Sequence, residues 1–221
     1  MKIISPDDLV CMDDAAQNGG FRVDIAYARD DNTLFGERVY RTDAKLYLHK
    51  DLASIVIRAA RLCLDETGLR FVLYDGLRPV EAQEAMLSTA RVISNPHWLE
   101  EPRLLSPPGA GGHPRGMAID IGLETAEGAL LDMGTVFDFL AEDPHAEFNP
   151  AHRNYKGHSK DIMDNRNVLD SYMARAAEAL DILLFPLPQE WWDFRLPPEI
   201  YSQYAPIRDT DLPEHMRLTD I

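Results

Sequence analysis

Hydrophobic positions recur with helical spacing in three stretches of the chain and crowd into short runs between them. In LASIVIRAARLCLDET, residues 52–67, Leu52, Ile55, Val56, Ala59, Leu62 and Cys63 share one face, which predicts an amphipathic helix. Gly68 suits the position after its C-cap. A second helix is predicted from Pro79 through VEAQEAMLSTARV, with the proline in its first turn. A third is predicted over 166–183, RNVLDSYMARAAEALDIL, with Val168, Tyr172, Met173, Ala176 and Leu180 facing inward. LRFVLY, residues 69–74, reads as a strand closed by the turn pair Asp75-Gly76.

Between these, residues 20–42 mix a short alternating run with turn residues and read as extended segments and loop. Residues 102–116 are loop by composition and lead into MAIDI, 117–121, a short strand. Residues 141–161 are polar, hold His145, His152 and His158, and are expected to cover the surface. Pro186 and Pro188 close the segment after the third helix. Short strands with separated helices predict an α+β domain. At 221 residues and 45% hydrophobic the chain supports one core, so a single domain is expected over 1–221.

Charge changes the picture by exclusion. A formal net charge of -15 argues against nucleic-acid or anionic-membrane partners, since both need a basic surface. The amino-terminal stretch lacks a signal-like apolar run, and no segment approaches the roughly 18 apolar residues of a membrane span. A soluble, cytoplasmic protein is therefore expected. Cys11 and Cys63 are 52 positions apart with no CxxC, which predicts free thiols, with Cys63 in the core.

Three motifs carry candidate chemistry. In GGHPRGMAID, His113 sits in a loop and Asp120 lies in the following strand, on the face opposite Met117, Ile119 and Ile121. That pair could converge on a divalent metal; it could equally be a turn cap and an edge-strand acid facing water. In YDGLRP, Arg78 is held between a turn and a helix start, suited to stabilising an oxyanion or to pairing with Asp75. In QEWWDFRLP, Glu190 and Asp193 bracket two of the chain's three tryptophans. A carboxylate beside such rings is desolvated, which raises its pKa toward the range of a general base. The plainer alternative makes Trp191 and Trp192 core anchors and pairs Glu190 with Arg195. In an ideal strand Glu190 and Asp193 point to opposite faces, so one site needs a turn or bulge between them.

The order Tyr27 in AYARDDN, Arg78 in YDGLRP, His113 and Asp120 in HPRGMAID, Asp138 in MGTVFDF and Glu190 in EWW resembles the VanX-type D-alanyl-D-alanine dipeptidases. The match runs from about residue 20 to 197, nearly the whole chain. The resemblance implies a small central antiparallel sheet flanked by helices, and a zinc peptidase acting on a small dipeptide. It implies that His113 and Asp120 are metal ligands, Glu190 the base, and Arg78 the residue that steadies the tetrahedral intermediate. Tyr27 and Asp138 would form part of the pocket for the dipeptide's amino group. Read without the resemblance, Asp138 is an acid at a helix start and Tyr27 a half-buried aromatic.

Two departures stand out. The family reads EWWH, the histidine being the third zinc ligand, whereas this chain has Asp193. A set of His113, Asp120 and Asp193 leaves the metal less net positive and its water less acidic, and shifts preference from Zn2+ toward Mn2+ or Fe2+. One of the three histidines between 145 and 158 could instead replace the ligand. The family also carries serines just before the histidine, where this chain has Gly111 and Gly112 and offers only backbone N–H groups to the substrate carboxylate. The expected function is metal-dependent hydrolysis of D-Ala-D-Ala or a related D-amino-acid dipeptide. Its rival is a catalytically silent dipeptide-binding relative. Homo-oligomerisation stays open.

Overall fold

Two buried runs of the sequence become neighbouring antiparallel strands at the centre of one sheet. The structure, a computed structural model, describes residues 1–100 and 104–220. Its elements are β1 (Leu9–Cys11), α1 (Met12–Gly19), β2 (Phe21–Val23), β3 (Tyr47–His49), α2 (Lys50–Thr67), β4 (Arg70–Asp75), α3 (Val80–Leu87), α4 (Ala90–Ile93), β5 (Ala118–Glu124), α5 (Lys160–Leu180), β6 (Phe185–Pro186), β7 (Asp193–Arg195) and α6 (Pro198–Tyr201). Residues 102–103 of the predicted loop lie outside the described residues.

The main sheet has the order β2-β4-β5-β7-β6, and β1 pairs separately with β3. The α+β expectation holds, but the sheet is mixed rather than antiparallel, because β2 runs parallel to β4. A parallel pair needs a crossover, and the long connection through β3 and α2 supplies it. All seven residues of β5 are buried. An edge-strand aspartate facing water is thereby excluded, and Asp120 sits in the interior of the sheet, 2% exposed.

Helix α2 buries Leu52, Ala53, Ile55, Val56, Ala59, Ala60 and Cys63, the face the spacing predicted. Both cysteines are free. The second predicted helix is broken. Ser88 Oγ donates to the Glu84 carbonyl and Thr89 Oγ1 to that of Met86, hydroxyl bonds that compete with the helical ladder. Thr89 then caps α4 by accepting from Val92 N–H. The third helix, α5, starts at Lys160, six residues before the prediction, where Ser159 accepts from Ile162 N–H. Asp75-Gly76 is not a turn. Leu77 N–H donates to the Tyr47 carbonyl at 2.8 Å, which carries the chain past Gly76 toward α3.

α2 and α5 pack on each other and on the sheet. Glu66 at the end of α2 links the two, accepting from Tyr172 Oη at 3.0 Å and from both terminal nitrogens of Arg175 on α5. Arg175 and Tyr172 hold the Glu66 carboxyl down at about 2, from an ordinary value near 4.5. A depressed folded-state pKa contributes stability above the unfolded value and loses it as pH falls through the folded one. The stability gap between wild type and Glu66→Gln is therefore expected to be constant above about pH 5 and to close as pH falls toward 2. A gap independent of pH in urea denaturation would contradict this clamp.

Candidate active site

Strand register places three aspartates side by side. Asp75 on β4 is opposite Asp120 on β5, after a slip in register between Leu73 and Asp75, and Asp120 is opposite Asp193 on β7. Directly paired residues share a face of the sheet, so the three carboxylates form a row across it. His113 sits over the row in a 3-10 turn, His113–Arg115. Gly112 has no room for a side chain, because a Cβ there would lie 2.8 Å from the Met117 carbonyl oxygen. Arg78 N–H donates to the His113 carbonyl at 3.0 Å, tying this turn to the segment before α3.

The imidazole is oriented by its backbone contact. Nδ1–H donates to the Gly76 carbonyl at 2.8 Å. That bond fixes the tautomer that leaves the Nε2 lone pair free. Nε2 lies 3.6 Å from Asp120 Oδ1 and 3.3 Å from Asp193 Oδ2.

Each aspartate in the row meets different partners. Asp75 accepts from Tyr40 Oη at 2.8 Å and from Arg78 Nε and Nη2 at 2.9 and 2.7 Å. The pairing of Arg78 with Asp75 thus holds, and Arg78 also faces the cavity, with Nη2 3.7 Å from Asp120 Oδ2. Asp193 receives both Nε, at 2.7 Å, and Nη2 of Arg195. Asp120 Oδ1 is buried without a hydrogen-bond partner among the described residues. Burial, then the charge of Asp193, pushes the Asp120 carboxyl well above its ordinary range. Burial acts on Asp193 in the same sense, but the Arg195 guanidinium overrides it and holds that carboxyl well below the usual range.

Glu190 reaches the same space because the chain turns. Leu187 N–H donates to the Asp193 carbonyl at 3.0 Å, closing a turn between β6 and β7 with Glu190 inside it. The opposite-face problem of an ideal strand does not arise. Burial, then Asp193, raises the Glu190 carboxyl to about 7. The tryptophans are anchors of this turn. Their rings meet edge to face at 5.3 Å, Trp191 Nε1–H donates to Thr135 Oγ1, and Trp192 packs on Phe137. Glu190 does not take Arg195 as a hydrogen-bonding partner; Asp193 does.

Asp138 is not at a helix start. It lies in irregular chain at φ 62°, a left-handed backbone that aspartate tolerates. Tyr27 is 1% exposed, and its Oη donates to Asp138 Oδ1 at 3.1 Å. Asp138 Oδ2 is buried and unpartnered among the described residues, and burial raises this carboxyl to about 8 against the pull of Arg78.

Tyr27, Arg78, His113, Asp120, Asp138, Glu190 and Asp193 all line one cavity of about 400 Å³. Gly111 and Gly112 are not on its wall, which Arg195 supplies beside Gly111. His145, His152 and His158 do not line it either; His158, for example, contacts the Pro150 carbonyl through Nε2. A larger cavity of about 550 Å³ lies across Phe137, lined by residues such as Leu131, Met133 and Val136. It gathers no histidine, so the chemistry belongs to the smaller one.

Comparison with known proteins gives the family. The peptidase M15 family described as D-Ala-D-Ala dipeptidase matches residues 9–209. The chain belongs to that family. It is 31% identical over 175 residues to a D-alanyl-D-alanine dipeptidase of Escherichia coli K12, covering 79% of this chain and 78% of the relative. It is 26% identical over 193 residues to a D-alanyl-D-alanine dipeptidase of Enterococcus faecalis V583, covering 82% and 89%. Among solved structures, the Serratia marcescens L-Ala D-Glu endopeptidase ChiX aligns at 18% identity with a TM-score of 0.41, over 70% of this chain and 84% of that one. No helix among the described residues of this family member is long and apolar enough to cross a membrane.

The donor set of this peptidase fits a divalent cation. Asp120, Asp138, Glu190 and Asp193 line the cavity against the guanidiniums of Arg78 and Arg195, a surplus of carboxylate that needs protons or a cation. The unpartnered Asp120 Oδ1 and the free Nε2 of His113 are donors of the right type. Two groupings come into reach. Ligand atoms of Asp75, His113 and Asp120 lie within 4.8 Å of one another, while Nε2 faces Asp120 and Asp193.

Sequence reasoning missed Asp75 as a member of the row, and it missed Arg153. The Arg153 guanidinium donates to the carbonyls of Leu187, Trp191 and Asp193, spanning the turn that presents Glu190. It also pairs with Asp170 on α5 and lies 4.5 Å over the Phe194 ring. Only the polar setting of residues 141–161 surrounded it, which gave no signal of burial. Arg153→Ala leaves the Trp191 carbonyl and Asp170 without their donor and takes a second donor from the Leu187 and Asp193 carbonyls, and is expected to lower unfolding free energy by about 2–4 kcal/mol. An unchanged urea midpoint would show that the turn holds itself without Arg153.

Proposed function

We propose that this chain hydrolyses small dipeptides of the D-Ala-D-Ala class, using a divalent cation, most simply Zn2+, held by His113 Nε2, Asp120 and Asp193. The observation that carries the reading is the convergence of Nε2 on the Asp120 and Asp193 carboxylates beside an otherwise unpartnered Asp120 Oδ1. Asp75 is the weaker third ligand, because it faces His113 from the Nδ1 side, whose proton is committed to the Gly76 carbonyl, whereas Asp193 faces Nε2. A bound ion of this kind supplies Lewis acidity and lowers the pKa of water to about 7.

The remaining chemistry belongs to side chains of this chain. Glu190, raised to about 7, is suited both to take a proton from the attacking water and to return it to the departing amine. Arg78 is oriented by Asp75 and packed 5.2 Å from the centre of the Tyr27 ring, so its charge is fixed where oxyanion character develops. Asp138 Oδ2, buried and unpartnered, is placed to accept the substrate's ammonium group, and Tyr27 orients it through Oδ1. The ammonium offsets the burial that otherwise disfavours the charged carboxyl. A cavity of about 400 Å³ suits a dipeptide rather than a folded chain.

The pairing of Asp193 with Arg195 also favours a second reading, a silent dipeptide binder in which the guanidinium occupies a ligand's oxygens. The two separate in one pair of assays. Glu190→Gln is expected to cut turnover of D-Ala-D-Ala by about 10²–10⁴-fold while metal content stays at the wild-type level. Chelator should abolish wild-type turnover, and Zn2+, Mn2+ or Fe2+ should restore it. Wild-type protein that neither retains metal nor releases amine would establish the silent binder.

A further inference from the structure

The substrate's other end is a carboxylate, and the two glycines before His113 bring no side chain to it. Gly111 holds a left-handed backbone, φ +83°, and Gly112 would drive a Cβ to 2.8 Å from the Met117 carbonyl oxygen. Serines there would be strained at the first position and blocked at the second. A Cβ built at Gly111 would stand 3.9 Å from Arg195 Nη1. The space beside the glycine loop is thus taken by a guanidinium from β7.

Arg195 is well placed for a second task. Asp193 and Arg195 alternate with Phe194 along β7, so both project from one face. Nε and Nη2 are committed to Asp193, while Nη1 makes no hydrogen bond among the described residues. The side chain lines the cavity and is 13% exposed. The bidentate pair fixes the plane of the guanidinium, so the direction of Nη1 is set before substrate arrives. Arg78, the other cation of the cavity, is on a separate segment and tied to Asp75. The glycine loop itself is immobilised, because Arg115 Nη1 donates to the Gly109 and Gly111 carbonyls.

We propose that Arg195 is a specificity-determining residue, whose Nη1 binds the free α-carboxylate of the dipeptide in place of side chains at 111 and 112. The proposal rests on the dipeptidase reading and deepens it. It makes the enzyme select dipeptides with a free carboxyl end against those that are capped or extended.

The test compares kcat/KM for D-Ala-D-Ala and for its C-terminal amide, in wild type, Arg195→Gln and Arg195→Lys, with metal content measured for each. Wild type should prefer the acid by at least about tenfold, the worth of one good charge-assisted contact. Arg195→Gln should bring the two substrates within about twofold of one another, and Arg195→Lys should retain part of the preference. Loss of Arg195 also frees both Asp193 oxygens, which changes metal content and the rate of both substrates alike. The acid-to-amide ratio is therefore the deciding readout. An undiminished ratio in both variants, with wild type active, would overturn the carboxylate role and leave Arg195 a partner of Asp193 only. Failure of wild type to hydrolyse any dipeptide would overturn the dipeptidase reading itself, and this proposal with it.

Discussion

Three aspartates in register across adjacent strands are the constraint to which the rest of the site answers. Like charges directly opposite one another destabilise a sheet, and Asp75, Asp120 and Asp193 are all but inaccessible to solvent. Each is dealt with separately. Asp75 is saturated by Tyr40 and Arg78, and Asp193 is gripped by Arg195. Asp120, in the middle, keeps one oxygen bare beside the His113 imidazole. The arrangement costs stability unless a proton or a cation sits there. That cost marks the place where the fold is organised for chemistry rather than for packing alone.

The substitution that set this chain apart from its family takes a different meaning beside that row. Considered alone, Asp193 in the position of a histidine adds a negative charge to the site. Considered with Arg195, two residues along the same strand face, it forms a pair with no net charge, as a neutral imidazole has none. A cation held beside the pair would then feel a field closer to that of a neutral imidazole ligand than the aspartate alone suggests. Around it, distant elements fix geometry. Arg153 braces the turn bearing Glu190, Gly76 orients His113, and Arg115 holds the glycine loop.

What the sequence made legible was what local pattern encodes. The apolar stripe of residues 52–67 gave α2 almost to its ends. The isoleucines flanking Asp120 argued against a solvated carboxylate but left an edge-strand acid open, which the burial of β5 excludes. The ordered set from Tyr27 to Glu190 gathered residues that do share one cavity. What stayed hidden was register and side-chain partnership. Asp75 looked like half of a turn pair because nothing local shows that β4 continues into it. The break after Leu87 depends on two hydroxyls choosing carbonyls of their own helix. Arg195 looked like a partner for Glu190, since only the turn at 187–192 reveals that Asp193 lies nearer. The parallel pairing of β2 with β4 is likewise a matter of distant topology.

The central claim is that His113 Nε2, Asp120 and Asp193 hold one cation while Asp75 stands behind the histidine. The most direct measurement is anomalous diffraction at the zinc edge from crystals of the zinc-loaded protein. The account predicts a single peak about 2.0–2.2 Å from Nε2 and from an oxygen of each of Asp120 and Asp193. A peak on the Nδ1 side, bound by Asp75 and Asp120, or no peak in protein that binds zinc elsewhere, would contradict it.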